Sequence, residues 1–215
     1  MPIAPAKESL SIEGPAGRLE VLLEFPGREE PEVVAVVCHP HPQYQGSMEN
    51  KVVHTVARAM NQLNVAALRF NFRGVGQSEG EYADGVGEVD DALAVMDYAQ
   101  ERWPSAAIWL AGFSFGGVVA ARAAAQRPVT QLITIAPAVN LLGTGVRNRP
   151  TMPWLIVQGE ADDIVPPNVV KDWVAECVGG DASAPVLIML DDVDHFFHGE
   201  LVTLRKTIVN YLSKD

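Results

Sequence analysis

The segment 112–116, Gly-Phe-Ser-Phe-Gly, places Ser114 in a setting typical of a catalytic nucleophile, since it matches the pattern G-x-S-x-G. The apolar run 108–111 leads directly into this segment, and a helix-forming stretch begins at Gly117. A tight turn from strand to helix forces its central residue into a strained conformation and needs small residues on both sides. A glycine-rich turn with an incidental serine would also match the pattern. The flanking strand and helix favour a nucleophile elbow, which exposes the serine hydroxyl above the sheet edge.

A serine hydroxyl is a poor nucleophile at neutral pH and needs a general base, for which the chain offers five histidines. His195 follows the apolar run 186–190, in a loop at the expected carboxyl end of a late strand. Parallel sheets collect functional side chains at that edge. His198 lies farther from the strand end, and His54 falls within a predicted helix. We therefore predict His195 as the base, the alternative being a histidine in a surface loop.

A carboxylate that holds this histidine in the correct tautomer is expected after the apolar run 154–158. The chain continues there with Glu160, Asp162 and Asp163, and Asp194 directly precedes the histidine. In an extended loop Asp194 would point away from the adjacent imidazole ring. The residues alone leave the other three acids open.

Acyl transfer also requires preorganised N–H donors for the oxyanion. The backbone N–H of Phe115, which follows the serine, is one candidate. The second is expected in the loop 38–42, Cys-His-Pro-His-Pro, where the prolines have no N–H and His41 is the best donor. His39 and His41 together also suggest a metal site. The alternating prolines favour a rigid extended loop instead, and no Cys, Asp or Glu lies at zinc-like spacing, so we predict no metal.

The glycine-rich segment 74–78 is not a phosphate-binding loop, because it lacks the following Lys-Ser/Thr and the dinucleotide spacing. We expect it to pack beside the elbow. Arg73, which precedes it, is predicted to form a structural ion pair rather than to contact substrate.

The 215 residues suit a single domain, 1–215, with one core. A formal net charge of -11 argues against nucleic-acid binding and against docking on anionic membranes. Met1–Leu10 has no apolar core of a secretory signal, and no apolar run is long enough for a membrane helix. We therefore expect a cytoplasmic protein, and we interpret Cys38 and Cys177 as buried free thiols. The choice between monomer and homodimer stays open.

Short apolar runs alternate with longer amphipathic stretches, which is typical of parallel strands joined by helices. The predicted strands are 9–13, 18–25, 33–38, 65–72, 106–112, 131–136, 154–158 and 185–190, and the predicted helices are 50–63, 86–100, 117–126, 169–178 and 201–212. The first two strands read as an antiparallel pair around a turn at 14–17. The stretch 137–153 has little periodicity and is too short for a second domain or a large lid.

Together these motifs resemble the α/β-hydrolase superfamily over nearly the whole chain, and most of all its small, lid-less bacterial serine esterases, which are similar to dienelactone hydrolase in compactness but use serine. The matching segments are 39–42 (His-Pro-His-Pro), 46–48 (Gly-Ser-Met), 69–76, 112–117, 159–162 (Gly-Glu-Ala-Asp) with 165–166, and 194–197 (Asp-His-Phe-Phe). One departure is Gln45-Gly46, where related sequences often have two glycines.

The resemblance implies an α/β-hydrolase fold: a mostly parallel, doubly wound sheet of about eight strands with antiparallel N-terminal strands and no large lid. It selects Asp162 as the acid, because the superfamily acid typically stands three residues after the glycine that ends this strand. It implies the triad Ser114, Asp162 and His195, with Phe115 and His41 as oxyanion donors.

The expected activity is hydrolysis of small or short-chain carboxylic esters through an acyl-enzyme, with a small-molecule partner and no cofactor. The alternatives are a thioesterase or peptidase of the same fold, a catalytically inactive binding module, and a metal-dependent hydrolase that uses His39 and His41.

Overall fold

The computed structural model describes residues 6–27, 30–142, 152–177 and 184–213. Its centre is one sheet of eight strands in the order β1-β2-β4-β3-β5-β6-β7-β8. The strands are β1 (Ala6–Gly14), β2 (Gly17–Phe25), β3 (Val33–Cys38), β4 (Ala66–Phe70), β5 (Ala107–Phe113), β6 (Gln131–Ile135), β7 (Trp154–Gly159) and β8 (Val186–Leu190). β1 pairs antiparallel with β2, and β2 pairs antiparallel with β4. The pairs from β4 to β8 are parallel.

Helices connect the parallel strands and cover both faces of the sheet. They are α1 (Lys51–Gln62), α2 (Gly87–Arg102), α3 (Phe115–Ala124), α4 (Val139–Leu142), α5 (Pro167–Cys177) and α6 (Leu201–Leu212), with a 3-10 turn at Pro42–Tyr44. The buried side chains of α1 and α6 pack into the core on one face, and those of α2, α3 and α5 pack into the core on the other. This explains the predominantly apolar composition of the central strands, because β4, β6 and β7 are buried along their whole length.

The predicted fold class is confirmed, with small shifts at the ends of elements. The helix after the elbow begins at Phe115 rather than at Gly117, because Ser114 already stands at its N-cap position. β4 ends at Phe70, two residues earlier than predicted. The next residue, Asn71, still donates its backbone N–H to Glu20 O at 2.9 Å, outside the regular strand. Sequence periodicity did not reveal the short helix α4, which lies in the stretch 137–153.

Cys38 is a buried free thiol, and burial raises its pKa above the ordinary range for cysteine. The matching prediction for the side chain of Cys177 lies outside the described residues. No helix in the described ranges combines the length and the apolar character that a membrane crossing needs.

Candidate active site

The turn between β5 and α3 holds Ser114 in a strained conformation. Its φ of 54° and ψ of -118° are unfavourable for a residue with a side chain. The turn is also tight: a Cβ atom on Gly112 would lie 2.1 Å from Gly116 O, and a Cβ on Gly116 would lie 2.4 Å from His39 O. Glycine is therefore required on both sides of the serine, as the pattern predicts, and Ser114 itself is only 8% exposed.

His195 lies in the loop after β8, against the serine. Its Nε2 is 3.1 Å from Ser114 Oγ, within hydrogen-bond distance. The imidazole packs between two aromatic rings, with centroid distances of 5.1 Å to both Phe113 and Phe196. These contacts bury the ring and restrict its rotation, so the orientation toward the serine is built into the packing.

Asp162 lies in the loop after β7 and contacts the other nitrogen of the same imidazole. His195 Nδ1 donates to Asp162 Oδ2 at 2.8 Å, which leaves Nε2 free to accept a proton from the serine. The buried carboxylate also accepts hydrogen bonds from Ile164 N at 3.0 Å, Val165 N at 2.7 Å and Gln158 Nε2 at 2.9 Å. These donors compensate the burial of its charge and fix its position.

The competing acids and histidines point elsewhere. Glu160 and Asp163 are exposed, and Glu160 Oε1 lies 3.7 Å from Lys171 Nζ. Asp194 accepts from the backbone N–H of His198 at 3.0 Å and from its Nδ1 at 2.7 Å. The position of Asp194 next to His195 in the sequence therefore brings no contact between their side chains.

His41 and Phe115 lie side by side at the mouth of the site, with ring centroids 4.8 Å apart. In the described part of the chain, neither backbone N–H donates to a protein acceptor. The His41 side chain accepts from Gln43 N at 3.2 Å through Nδ1, and its Nε2 lies 3.2 Å from the Tyr82 hydroxyl. Partial burial lowers the pKa of His41, so the ring is neutral at neutral pH.

The loop after β3 contains the departure noted in the sequence, Gln45-Gly46. Gln45 adopts a left-handed conformation with φ of 62°, which a glycine would accept without strain. At Gly46 a side chain cannot fit, because a Cβ would lie 2.1 Å from Pro40 O. The loop is closed by a hydrogen bond of 3.0 Å from Gly46 N to His41 O.

His39 has a structural role that the sequence does not reveal. It is completely buried, its Nδ1 donates to Pro40 O at 2.6 Å, and its Nε2 accepts from Phe72 N at 3.0 Å. Burial lowers its pKa to about 3, so it stays neutral. Both ring nitrogens are thus engaged and unavailable to a metal. Across the described ranges, no group of three His, Cys, Asp or Glu side chains is placed to hold a metal ion.

Arg73 forms the ion pair predicted for it, with a distance of 2.7 Å from Nη2 to Oδ1 of the buried Asp91 on α2. The adjoining glycine-rich segment contacts β2 through a hydrogen bond of 2.9 Å, which the backbone N–H of Glu20 donates to Ser78 Oγ.

A cavity of about 360 Å³ opens over the serine. Its lining is mostly apolar, and none of the described residues that form it carries a carboxylate: Pro40, His41, Tyr44, Gln45, Gly46, Asn50, Phe113, Ser114, Phe115, Ala138, Leu141, Ile164, His195 and Phe196. Exposed hydrophobic side chains form its rim, namely Tyr44, Leu141, Ile164 and Phe196. These rim residues come from four separate segments, the 3-10 turn (Tyr44), α4 (Leu141) and the loops after β7 (Ile164) and β8 (Phe196), and sequence reasoning did not identify them. The exposed Phe beside the predicted base was the only available signal.

Comparison with known proteins gives consistent matches. The family model described as serine aminopeptidase, S33, matches residues 31–146. An α/β serine hydrolase homologue from Coxiella burnetii is 43% identical, with a TM-score of 0.90 over 95% of this chain and 97% of that chain. An α/β serine hydrolase without a lid from Xanthomonas campestris is 39% identical, with a TM-score of 0.90 over 100% of this chain and 97% of that chain. An uncharacterized protein of Rickettsia prowazekii is 35% identical over 206 residues, which is 93% of this chain and 86% of that protein.

Proposed function

The chain belongs to the α/β-hydrolase superfamily, within the serine aminopeptidase S33 family, and on that premise we propose that it hydrolyses small carboxylic esters through an acyl-enzyme. The proposal assigns Ser114 as nucleophile, His195 as general base and Asp162 as the acid that orients it. The observation that carries it is the continuous line of hydrogen bonds from Asp162 Oδ2 through the imidazole to Ser114 Oγ, with distances of 2.8 and 3.1 Å.

In the first half of the proposed reaction, His195 Nε2 takes the hydroxyl proton as Ser114 Oγ attacks the ester carbonyl carbon. The imidazolium that forms is stabilised by the carboxylate of Asp162. Negative charge develops on the carbonyl oxygen, and the N–H groups of Phe115 and His41 are assigned as its donors. His195 then returns the proton to the departing alcohol, and the acyl group stays on the serine.

In the second half, water replaces the alcohol. His195 takes a proton from this water as it attacks the acyl carbon, and the same donors hold the second oxyanion. Collapse releases the carboxylic acid and restores the serine hydroxyl with the proton from the imidazolium. No step requires a metal or an organic cofactor.

The cavity supports a small, neutral acyl group as the substrate part bound over the serine. Its apolar lining favours a short aliphatic or aromatic group. The chain's net charge of -11 supports our further expectation that no nucleic acid is a partner. The proposal places the reaction in the cytoplasm, on a small-molecule ester.

An aminopeptidase is the second candidate, because the matching family is described by that activity. An aminopeptidase must bind the positively charged α-ammonium group of its substrate, for which a carboxylate near the serine is suited. The described lining of the cavity contains no carboxylate. The carboxylate of Asp162 is buried outside this lining, where it accepts hydrogen bonds from neighbouring groups such as the backbone N–H of Val165. This favours the ester over the peptide. A comparison of ester, thioester and amide substrates with one acyl group separates the candidates.

The first test is the Ser114→Ala variant with p-nitrophenyl acetate. We expect its kcat to fall by about three orders of magnitude or more, because the covalent route is lost. Ser105→Ala is the matched control, since Ser105 is exposed in the turn before β5, at the opposite end of that strand.

Full activity of the Ser114→Ala variant would contradict the assignment of Ser114 as the nucleophile. Labelling of the wild-type protein by a fluorophosphonate provides an independent measurement. A wild-type protein that neither reacts with the probe nor hydrolyses any of the three substrates would instead be a binding module on this fold.

A further inference from the structure

A second cavity, of about 350 Å³, forms an open groove between α1 and α6. Basic side chains from both helices line it: Lys51 and Arg58 from α1, and Arg205 from α6. Arg58 follows Lys51 by seven residues, two turns of an α-helix, so both project on the same side of α1. We call this cavity the basic groove.

The charge of the basic groove is not neutralised by the protein. Most Lys and Arg side chains of the described ranges have an ion-pair partner, for example Arg73 with Asp91 and Arg18 with Glu79. Lys51, Arg58 and Arg205 have none among the described residues. In a chain with a net charge of -11, unpaired cations gathered in one concave surface are what an anionic ligand requires.

Two neighbouring groups complete the electrostatic setting of the groove. Glu49 lines its edge, and its Oε2 lies 3.6 Å from Arg69 Nη1, which partly offsets that carboxylate. His54 also lines it, and partial burial together with the nearby Arg69 lowers the pKa of this imidazole. At neutral pH His54 is therefore an uncharged group, and the cations dominate the groove.

The basic groove and the cavity over the serine both adjoin a third cavity, with which each shares lining residues. This third cavity is lined by Asn50 and Phe196, which also line the catalytic cavity. Glu49, Lys51 and Leu201 are shared between this connecting cavity and the basic groove. Arg58 lies eight residues after Asn50, which places it about 12 Å farther along the axis of α1. One extended molecule can therefore occupy both sites.

We propose that the basic groove binds a phosphate group at the far end of the substrate's alcohol, so that the substrate class is an acyl ester of a phosphate-bearing alcohol. This inference rests on the proposed esterase function. Arg58 and Arg205 are suited to phosphate because the planar guanidinium donates paired hydrogen bonds to its oxygens, and Lys51 adds a point charge.

Chemically, only the ester bond changes. Ser114 Oγ forms a bond with the acyl carbon, the bond from that carbon to the alcohol oxygen breaks, and the alcohol leaves with a proton from His195. The phosphate monoester at the other end is untouched. Its role is to hold the leaving group along the connecting cavity, which positions the ester over the serine.

The test uses a matched pair of neutral and anionic substrates. The monobutyrate ester of octanediol is compared with the same ester carrying a phosphate on its second hydroxyl. We expect kcat/KM of the wild-type protein to be about tenfold higher for the phosphate ester, since a few partly exposed ion pairs act together. The advantage should shrink with the ester of butanediol, whose chain is four carbons shorter than that of octanediol, and with added salt.

The variants Arg58→Ala and Arg205→Ala connect this preference to the groove. We expect each to lower the ratio of the two kcat/KM values severalfold, and the double variant to bring it close to one. Lys206→Ala is the matched control: it removes an exposed cation from the same helix that is not part of the groove lining, and the ratio should stay at the wild-type value.

Equal kcat/KM for both esters in the wild-type protein overturns the inference and leaves the esterase proposal intact. If neither ester is hydrolysed, the esterase proposal fails. Calorimetric titration with octyl phosphate then decides on the groove itself. Binding that disappears in the double variant supports a phosphate site, and no binding, or binding unchanged by the two substitutions, overturns it.

Discussion

At the scale of single residues, the position of one carboxylate decides how the imidazole is used. Asp162 and Asp163 are adjacent in sequence, yet they differ in exposure and in contacts. Asp162 is 4% exposed and accepts a hydrogen bond from His195 Nδ1, whereas Asp163 is exposed to solvent. The backbone N–H groups of Ile164 and Val165 hold the Asp162 carboxylate in place. The local turn thus selects which of the two acids can act on the histidine.

We expect Asp162→Asn to lower kcat for p-nitrophenyl acetate by about three to four orders of magnitude. The amide can donate to His195 Nδ1 and so favour the wrong tautomer, in which Nε2 carries the proton. Asp163→Asn should remain within about twofold of the wild-type rate, since its charge is screened by solvent. A reversed order of the two variants would assign the acid to Asp163.

His39 makes the stability of the protein depend on pH. Its folded pKa of about 3 lies below 6.5, the ordinary pKa of a solvent-exposed histidine. Between these values the unfolded chain binds the proton and the folded chain does not. The contribution is therefore fully present above the unfolded pKa and is lost as pH falls from there toward the folded pKa.

His39→Gln retains one donor and one acceptor but does not titrate. We expect the loss of unfolding free energy between about pH 7 and pH 5 to be smaller in this variant by about 2 kcal/mol, measured by urea denaturation at both pH values. Because each protein is compared with itself at the two pH values, an overall loss of stability in the variant does not affect the comparison. Identical pH dependence in the two proteins would contradict a buried, neutral His39.

At the scale of elements, two tight connections bring residues of the candidate site together. The β5–α3 turn presents the serine, and the loop after β3 lays His41 beside Phe115. In both places a backbone carbonyl occupies the space that a Cβ would need, so the close approach of two chain segments depends on glycine. The shape of the candidate oxyanion site is therefore a property of the connections rather than of the strands.

The neighbours Gln45 and Gly46 provide a test of this point. In Gly46→Ala the new Cβ would lie 2.1 Å from Pro40 O and 2.5 Å from His41 O, so the loop must shift. We expect a loss of about 2 kcal/mol in unfolding free energy and a lower kcat. Gln45→Gly relieves a left-handed conformation and should stay within about 1 kcal/mol of wild type with full activity. Equal tolerance of both substitutions would show that the loop shape is not constrained in this way.

At the scale of the whole molecule, the sheet joins two separate hydrophobic cores. One core lies between the sheet and α1 with α6, and the other lies between the sheet and α2, α3 and α5. Alternate side chains of each central strand enter one core or the other, so neither core can be lost without disrupting the strands that form the other. The prediction that 1–215 is a single domain requires the two cores to unfold together.

We therefore expect a single cooperative unfolding transition. Far-ultraviolet circular dichroism follows all helices, while tryptophan fluorescence follows local environments, including Trp154 and Trp173, whose rings pack 5.0 Å apart near one edge of the sheet. The two signals should change at the same urea concentration. Two separated transitions would indicate that the chain divides into independent units.

Several features of the site were predictable because their causes are local. The G-x-S-x-G turn requires glycine on both sides of Ser114 for steric reasons, and those reasons apply in any fold that joins a strand to a helix so tightly. The sequence also shows the alternation of strands and helices, and it shows the order of serine, candidate acids and histidine along the chain. The buried role of His39 was not predictable, since nothing beside it in sequence indicates that Phe72 N would be its partner.

The sequence by itself determined the alternating element order, the elbow around Ser114 and the candidate residues after each strand, because hydrophobic periodicity and backbone sterics act over short stretches of chain. Only the tertiary structure decided which candidates meet. It turned Asp162 rather than Asp163 toward His195, drew Asp194 to His198, and assembled the basic groove from two helices that lie far apart in sequence. Such contacts depend on how distant segments pack, which no local pattern specifies.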